Sequence, residues 1–174
     1  RFVQAAQKSL NGSGIGTFSD RARDAARGSS WGSADDNVRN KGWIHGEGTA
    51  KQVDLLRVGL AGTLEGFQMI DRSGNRVPLS RIDYNGQPAG YASQPAEVVN
   101  YVENHDNQTL FDNNATKLPR DASKEDRARV QHLGAALVAF SQGIAYFHAG
   151  QEILRSKSLD RNSYDSGDWF NRLD

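Results

Sequence analysis

The sequence has no cysteine among its 174 residues. That absence removes disulfide frameworks, thiolate metal sites, iron–sulfur clusters and cysteine nucleophiles. It does not fix a compartment, because many exported chains also lack cysteine. An excess of charge of one sign is missing too: 21 basic residues stand against 21 acidic ones, with a pI near 7.1. There is therefore no electrostatic footprint for nucleic acid or for an anionic membrane surface. No apolar run reaches the roughly 18 residues that a membrane-spanning helix needs, and no signal-peptide pattern is visible. The chain opens on Arg1 rather than Met, so its natural start is expected upstream. Apolar residues are modest at 37%, below the ~45–50% (glycine included) of ordinary globular chains. Glycine is plentiful at 18 residues and is spread along the chain with Asn, Asp and Ser. Long loops around a limited amount of regular structure are expected, in a length that suits one domain of roughly 100–200 residues.

Residues 1–10 read as the end of a helix, stopped by Asn11-Gly12-Ser13-Gly14. Ile15–Phe18 is a short strand candidate, after which Ser19 or Asp20 caps a helix through Arg21–Arg27 that Gly28 ends. Residues 28–50 read as a long loop carrying Trp31 and Trp43, with ligand stacking and anchoring to the core both open for the two indoles. Over 51–61, Val53, Leu56 and Leu60 share one helical face beside Leu55, although Gly59 and Gly62 weaken the pattern. Turns are expected at 71–76 and 83–90. The second half is more regular. A strand over Val98–Val102 runs into the polar cluster 103–107, and a long loop follows. Ser123 with Asp126 then signals a capped helix to about Ser141, burying Val130, Leu133, Leu137 and Phe140 and ending at Gly143. Ile144–Phe147 is a second strand, followed by the polar run 148–152. Strand, helix, strand is a βαβ unit, which predicts parallel strands with a right-handed crossover. Function in such folds sits at the C-terminal strand ends, where both polar clusters fall.

His105-Asp106, flanked by Asn104 and Asn107, is the sharpest local feature. Four hydrogen-bonding side chains at one strand end suit a polyhydroxylated ligand such as a sugar; as a bare dipeptide the pair equally fits a hydrogen-bonded turn. A metal would draw on His105, Asp106, His148 and Glu152, ligand types that suit zinc or iron. Their spacing matches no compact motif such as H-E-x-x-H, and no metal ligand is assigned. Residues 155–170 form a loop, read either as solvated surface or as a substrate loop in which Tyr164 or Trp169 faces a sugar ring and Asp165 or Asp168 accepts from hydroxyls. His45 and His132 have no carboxylate-rich neighbourhood in sequence and read as structural.

The stretch VNYVENHDNQTLFD (99–112) resembles the fourth conserved region of the α-amylase superfamily, glycoside hydrolase family 13, and more narrowly its pullulanase and limit-dextrinase branch. GIGTFSDRARDAARG (14–28), DYNGQPAGYA (83–92) and GIAYFHAGQEILRSKSLDRNSYDSGDWFNRLD (143–174) agree, leaving only 29–50 and 71–82 weakly matched. The resemblance implies an α/β fold, the C-terminal part of a (β/α)8 TIM-type barrel, with residues 15–18, 98–104 and 144–148 as about strands six, seven and eight. It implies retaining hydrolysis of α-1,6 branch linkages in pullulan, amylopectin and limit dextrins. It implies for Asp106 the part of a transition-state-stabilising carboxylate in the cleavage subsite and for His105 that of the imidazole bonding the same sugar. Asp168 resembles an aspartate on the adjacent glucose, with Asn107 and Arg161 as further sugar-binding neighbours. The implied partner is an α-glucan polysaccharide or oligosaccharide, with neither nucleic acid nor membrane. No cofactor is required; relatives bind calcium, but no D-x-D-x-D loop occurs here. Secretion is implied by the bacterial relatives, whereas plant and some bacterial ones are intracellular.

Two family regions have no counterpart in the sequence. They bear the nucleophile after strand four and the acid/base after strand five. Gly46-Glu47-Gly48 superficially matches the GEGW-like acid/base motif, but it follows the sixth strand, so Glu47 is not assigned that role. The chain is expected to be an internal piece of a larger catalytic barrel, lacking that barrel's N-terminal half and the β-sandwich domain beyond it, and inactive alone. The alternatives are a non-catalytic α-glucan-binding homologue and a hydrolase of isoamylase or α-amylase type; the run RSKSLDRNSYDSGDWFN argues against the latter pair.

Overall fold

A computed structural model describes residues 17–29 and 38–173. The expected helix end over 1–10, its Asn11–Gly14 stop, Ile15-Gly16 and Trp31 lie outside the described residues. Strand β1 (Thr17–Phe18) leads into helix α1 (Asp20–Arg27), and helix α2 (Ala50–Leu60) follows. Two short antiparallel ribbons come next, β2 (Gln68–Ile70) with β3 (Arg76–Pro78) and β4 (Asp83–Tyr84) with β5 (Gln87–Pro88). Strand β6 (Val98–Asn100), helices α3 (Leu110–Lys117) and α4 (Lys124–Ala139) and strand β7 (Ile144–Ala145) complete the order. β1, β6 and β7 form one sheet with β6 central, and both pairings are parallel: Thr17 lies opposite Val98, and Val99 opposite Ile144. The βαβ reading therefore holds, with two helices rather than one in the crossover.

The turn chemistry explains the ribbons. Asn85 and Gly86 both take positive φ (53° and 78°), the type I′ geometry that two-residue hairpin loops favour. Asp71 Oδ1 accepts the backbone N–H groups of Ser73 and Asn75, each at 2.9 Å, closing the other turn. The loop expected over 28–50 contains a 3-10 turn at Trp43–His45 and ends in a capping box, Thr49 Oγ accepting from Gln52 N–H while Gln52 Oε1 accepts from Thr49 N–H. Helix α3 corrects the long loop expected after residue 107. Its inward face is Asp112, Asn113, Asn114 and Lys117, with Leu110 its buried apolar residue, so it shows no hydrophobic period. The expected inward face of α4 is borne out at Val130 and Leu137, which pack half-buried against the core, and corrected at Leu133 and Phe140. Gln131, Gly134 and Val138 are the buried positions, while Leu133 is exposed and Phe140 is 82% exposed. Gly134 fits there because a Cβ would lie 2.7 Å from Leu110 Cδ2, so close α3–α4 packing sets the helix's rotation. The second strand spans 98–100 and the third 144–145, shorter than the expected 98–102 and 144–147.

Helices α1 and α2 cross at Gly59, where a Cβ would lie 2.3 Å from Ala22 Cβ. The glycine that weakens the helix by propensity is what lets it pack against its neighbour. Gly59→Leu should gain helix propensity and still destabilise the protein by about 1–3 kcal/mol through overpacking. A denaturation midpoint at or above wild type would contradict this crossing.

The end of α1 is held by Lys117, whose buried Nζ donates to the carbonyls of Arg27, Ser29 and Asn40 at 3.1, 2.8 and 2.7 Å. A cation at a helix C-terminus satisfies carbonyls that lack intrahelical partners. Burial, and then Arg27, push the Lys117 pKa down to about 7. His45 is structural, as expected. Its Nδ1 accepts from Gly42 N–H at 3.1 Å, and its Nε2 stands 2.9 Å from Asn114 Oδ1. Burial depresses its pKa from 6.5 to about 4, with the nearby Lys117 adding to the effect and the Asn114 bond opposing it. Between those values the unfolded chain binds a proton that the folded chain refuses, so stability falls as pH drops from about 6.5 to 4, by on the order of 3 kcal/mol. The difference in urea midpoint between pH 7 and pH 4.5 should shrink in His45→Gln; an equal loss in both proteins would contradict the assignment.

Candidate active-site cleft

The parallel sheet delivers its strand ends to one side, and the loop after β6 is shaped there by a buried carboxylate. Glu103 is 1% exposed, and its Oε2 accepts the backbone N–H of Leu110, the first residue of α3. Thr109 Oγ caps the same helix by accepting from Asp112 N–H at 3.1 Å. Residues 104–108 are thereby closed into a tight loop. Within it Asn104 Oδ1 accepts from Asp106 N–H at 2.9 Å, and Asn107 takes a positive φ of 60°, a conformation asparagine tolerates better than most residues. The loop turns the His105 and Asp106 side chains to solvent, 75% and 65% exposed, with Nε2 and Oδ1 3.5 Å apart.

Asp106 and Asn107 stand between two openings. One, of 340 Å³, is walled by Phe18, Asp20, Arg23, Tyr101, Asn104 and His105. The other, of 500 Å³, is completed by Arg161 and Asn162. The structure thus gathers four of the five sequence-predicted positions: His105, Asp106, Asn107 and Arg161. Asp168 lines neither opening; it begins a 3-10 turn and its carbonyl accepts from Asn171 and Arg172. Beside it Trp169 and Tyr164 are exposed, and the Arg172 guanidinium lies 4.0 Å from the Trp169 ring centroid. Glu47 is ion-paired to Lys41 at 2.5 Å and lines a different cavity of 610 Å³, with Asp24, Lys41 and Tyr84.

Sequence reasoning missed the wall opposite Asp106. Arg23 pairs with Asp20 (3.2 Å) and Asp24 (2.9 Å) and donates to the Tyr101 hydroxyl, which donates to Asp20 Oδ1 at 2.5 Å. Burial opposes the Arg23 charge, but Asp24, Tyr101 and Asp20 outweigh it and raise its pKa. Burial is likewise the first cause holding the Tyr101 phenol above its usual range. Phe18, Tyr101 and Tyr146, one just beyond or at the end of each strand, meet edge to face at 5.0, 5.3 and 6.4 Å. That cluster becomes legible only when the three strands are aligned. A second buried chain backs the loop: Glu103 Oε1 lies 3.5 Å from His148 Nδ1, and Arg155 Nη1 donates to His148 Nε2 at 3.1 Å. Arginine cannot accept, so Nδ1 carries the imidazole proton and faces Glu103. His148 turns to Glu103 while Glu152 is exposed, and among the described residues no three His, Asp or Glu side chains are placed to hold an ion.

No protein-family model matches the chain. Known proteins do. A pullulanase of Klebsiella pneumoniae is 48% identical over 188 residues, covering 100% of this chain and 17% of that protein. The chloroplastic pullulanase 1 of Arabidopsis thaliana is 42% identical over 192 residues, covering 100% of this chain and 20% of that protein. The fold agrees with the crystal structure of the maltotriose complex of PulA from Klebsiella pneumoniae, with a TM-score of 0.91 at 48% identity over 97% of this chain and 20% of that one. The chain is homologous to a segment of the pullulanases. A pullulanase mutant of Paenibacillus barengoltzii complexed with maltotetraose is more distant, with a TM-score of 0.69 at 34% identity over 93% of this chain and 21% of that one. The chain spans about a fifth of the length of these relatives.

Proposed function

We propose that the protein to which this segment belongs hydrolyses α-1,6-glucosidic branch linkages in pullulan, amylopectin and limit dextrins, with retention at the anomeric carbon. The observation that carries the reading is 42–48% identity along this whole chain to a segment of pullulanases, combined with an exposed His105–Asp106 pair beyond the C-terminal end of a parallel strand. β1, β6 and β7 take the places of the sixth to eighth strands of a (β/α)8 barrel. The whole of 1–174 is then a partial catalytic barrel, and the remaining strands close on the edges of β1 and β7.

Retaining hydrolysis uses two carboxyl groups about 5 Å apart, a nucleophile and an acid/base. Both belong to the part of the barrel outside this chain. Asp106 serves as a third carboxylate. It accepts from hydroxyls of the sugar being cleaved and stabilises the positive charge that develops on it. His105 and Asn107 bond the same sugar, Arg161 lines the opening beside Asp106, and Asp168 accepts from a neighbouring glucose. The substrate is a neutral α-glucan, consistent with a balanced charge of 21 basic and 21 acidic residues. In the full-length protein, reducing ends should be released from pullulan and not from linear α-1,4-linked amylose. Equal rates on both would favour an α-amylase-type hydrolase, and binding without hydrolysis would favour a non-catalytic glucan-binding homologue.

A further inference from the structure

Lys157 is 1% exposed, yet among the described residues its ammonium has no carboxylate partner within salt-bridge distance. Among those residues its Nζ donates to a single acceptor, the backbone carbonyl of His105, at 2.5 Å. The segment that carries it is fixed to α3. Asp112, itself buried, accepts from Lys157 N–H at 2.8 Å and from the Ser156 hydroxyl at 2.5 Å. The backbone around it is strained, with Leu154, Ser158 and Leu159 all at positive φ (61°, 52° and 67°), a conformation that costs non-glycine residues free energy. A buried cation is also costly unless opposing charge lies nearby, and an apolar side chain of similar length would fill the space without that cost. Burial, and then Arg155, lower the Lys157 pKa, while Asp106, Glu103 and Asp160 act in the opposite direction.

We propose that Lys157 is a positioning residue for Asp106: its ammonium holds the His105 carbonyl, and with it the peptide leading into Asp106, and places a positive charge on that loop. This rests on the reading of Asp106 given above. Lys157 does not touch sugar. It keeps the Asp106 loop in place before the substrate arrives, so that little reorganisation is left to the transition state.

The test uses the full-length protein with pullulan. Lys157→Met should lower kcat by about 10- to 100-fold, the scale of a small misplacement of a catalytic group, with KM within about 3-fold. In an Asp106→Asn background the same substitution should change the residual kcat by less than about 2-fold, because the group it positions is already neutral. An unchanged kcat in Lys157→Met, or the same fold-loss in both backgrounds, overturns the proposal. If Lys157→Met does not fold, Lys157→Gln, which keeps a donor for the His105 carbonyl without the charge, is read in the same two backgrounds. A defective Asp106→Asn beside a normal Lys157→Met removes only the role of Lys157. A normal Asp106→Asn removes the reading of Asp106, and Lys157's role with it.

Discussion

In the full-length protein, Asp106→Asn should lower kcat on pullulan by about 10²–10³-fold, equivalent to roughly 2.7–4 kcal/mol of lost transition-state stabilisation, and change KM little. Asparagine has the same shape and keeps one oxygen that can accept from a sugar hydroxyl, so ground-state binding survives. On the proposed reading, what it loses is the negative charge opposite an oxocarbenium-like centre, an interaction that strengthens only as the glycosidic bond breaks. The loop geometry makes the substitution a clean one. Among the described residues, Asp106 carries no structural hydrogen bond through its carboxylate other than the 3.5 Å approach of His105, and its backbone N–H stays on Asn104 Oδ1. A near-normal kcat would remove Asp106 from the catalytic machinery.

The isolated 174-residue chain should release no measurable reducing ends from pullulan. A retaining mechanism needs a nucleophile and an acid within about 5 Å of each other. Among the described residues, the other carboxylate that lines the Asp106 cleft is Asp20, and it is held by Arg23 and by the Tyr101 hydroxyl. The three parallel strands among the described residues also fall short of the eight that close a barrel. β1 and β7 are the edges of the sheet, and Phe18, Ile144 and Phe147 lie exposed on or beside them. On the proposed reading, stabilising a charge without the nucleophile and acid that generate it does not amount to catalysis. Reducing ends released by the purified chain above a buffer control would show that a complete pair of catalytic carboxylates exists inside it, and the division of labour proposed above would fail.

Much of the second half was legible because its elements carry strong local signals. The β-branched run at 98–99, the Ser123 cap and the strand before the polar run 148–152 all stand where the sequence puts them. Helix α3 was not legible, because its inward face is built from Asp112, Asn113, Asn114 and Lys117, which are buried for their hydrogen bonds to α1, α4 and the 155–159 segment rather than for their hydrophobicity. The face of α4 was legible only at Val130 and Leu137, for a related reason. Its apolar side chains mark the expected inward stripe, but the small Gly134 decides which side can approach Leu110. At the site, His105 and Asp106 stood out as a dipeptide leaving a strand. Arg23, Tyr101, Glu103 and Lys157 are scattered over more than 130 positions of sequence and converge only through the parallel register and two polar anchors.

The most direct test of the central claim is the structure of the full-length protein bound to maltotriose or a longer branched glucan. Asp106 should lie within about 2.6–3.2 Å of a glucosyl hydroxyl, with His105 on the same sugar. A glucan seated elsewhere, with the Asp106 carboxylate touching no sugar, would contradict the account.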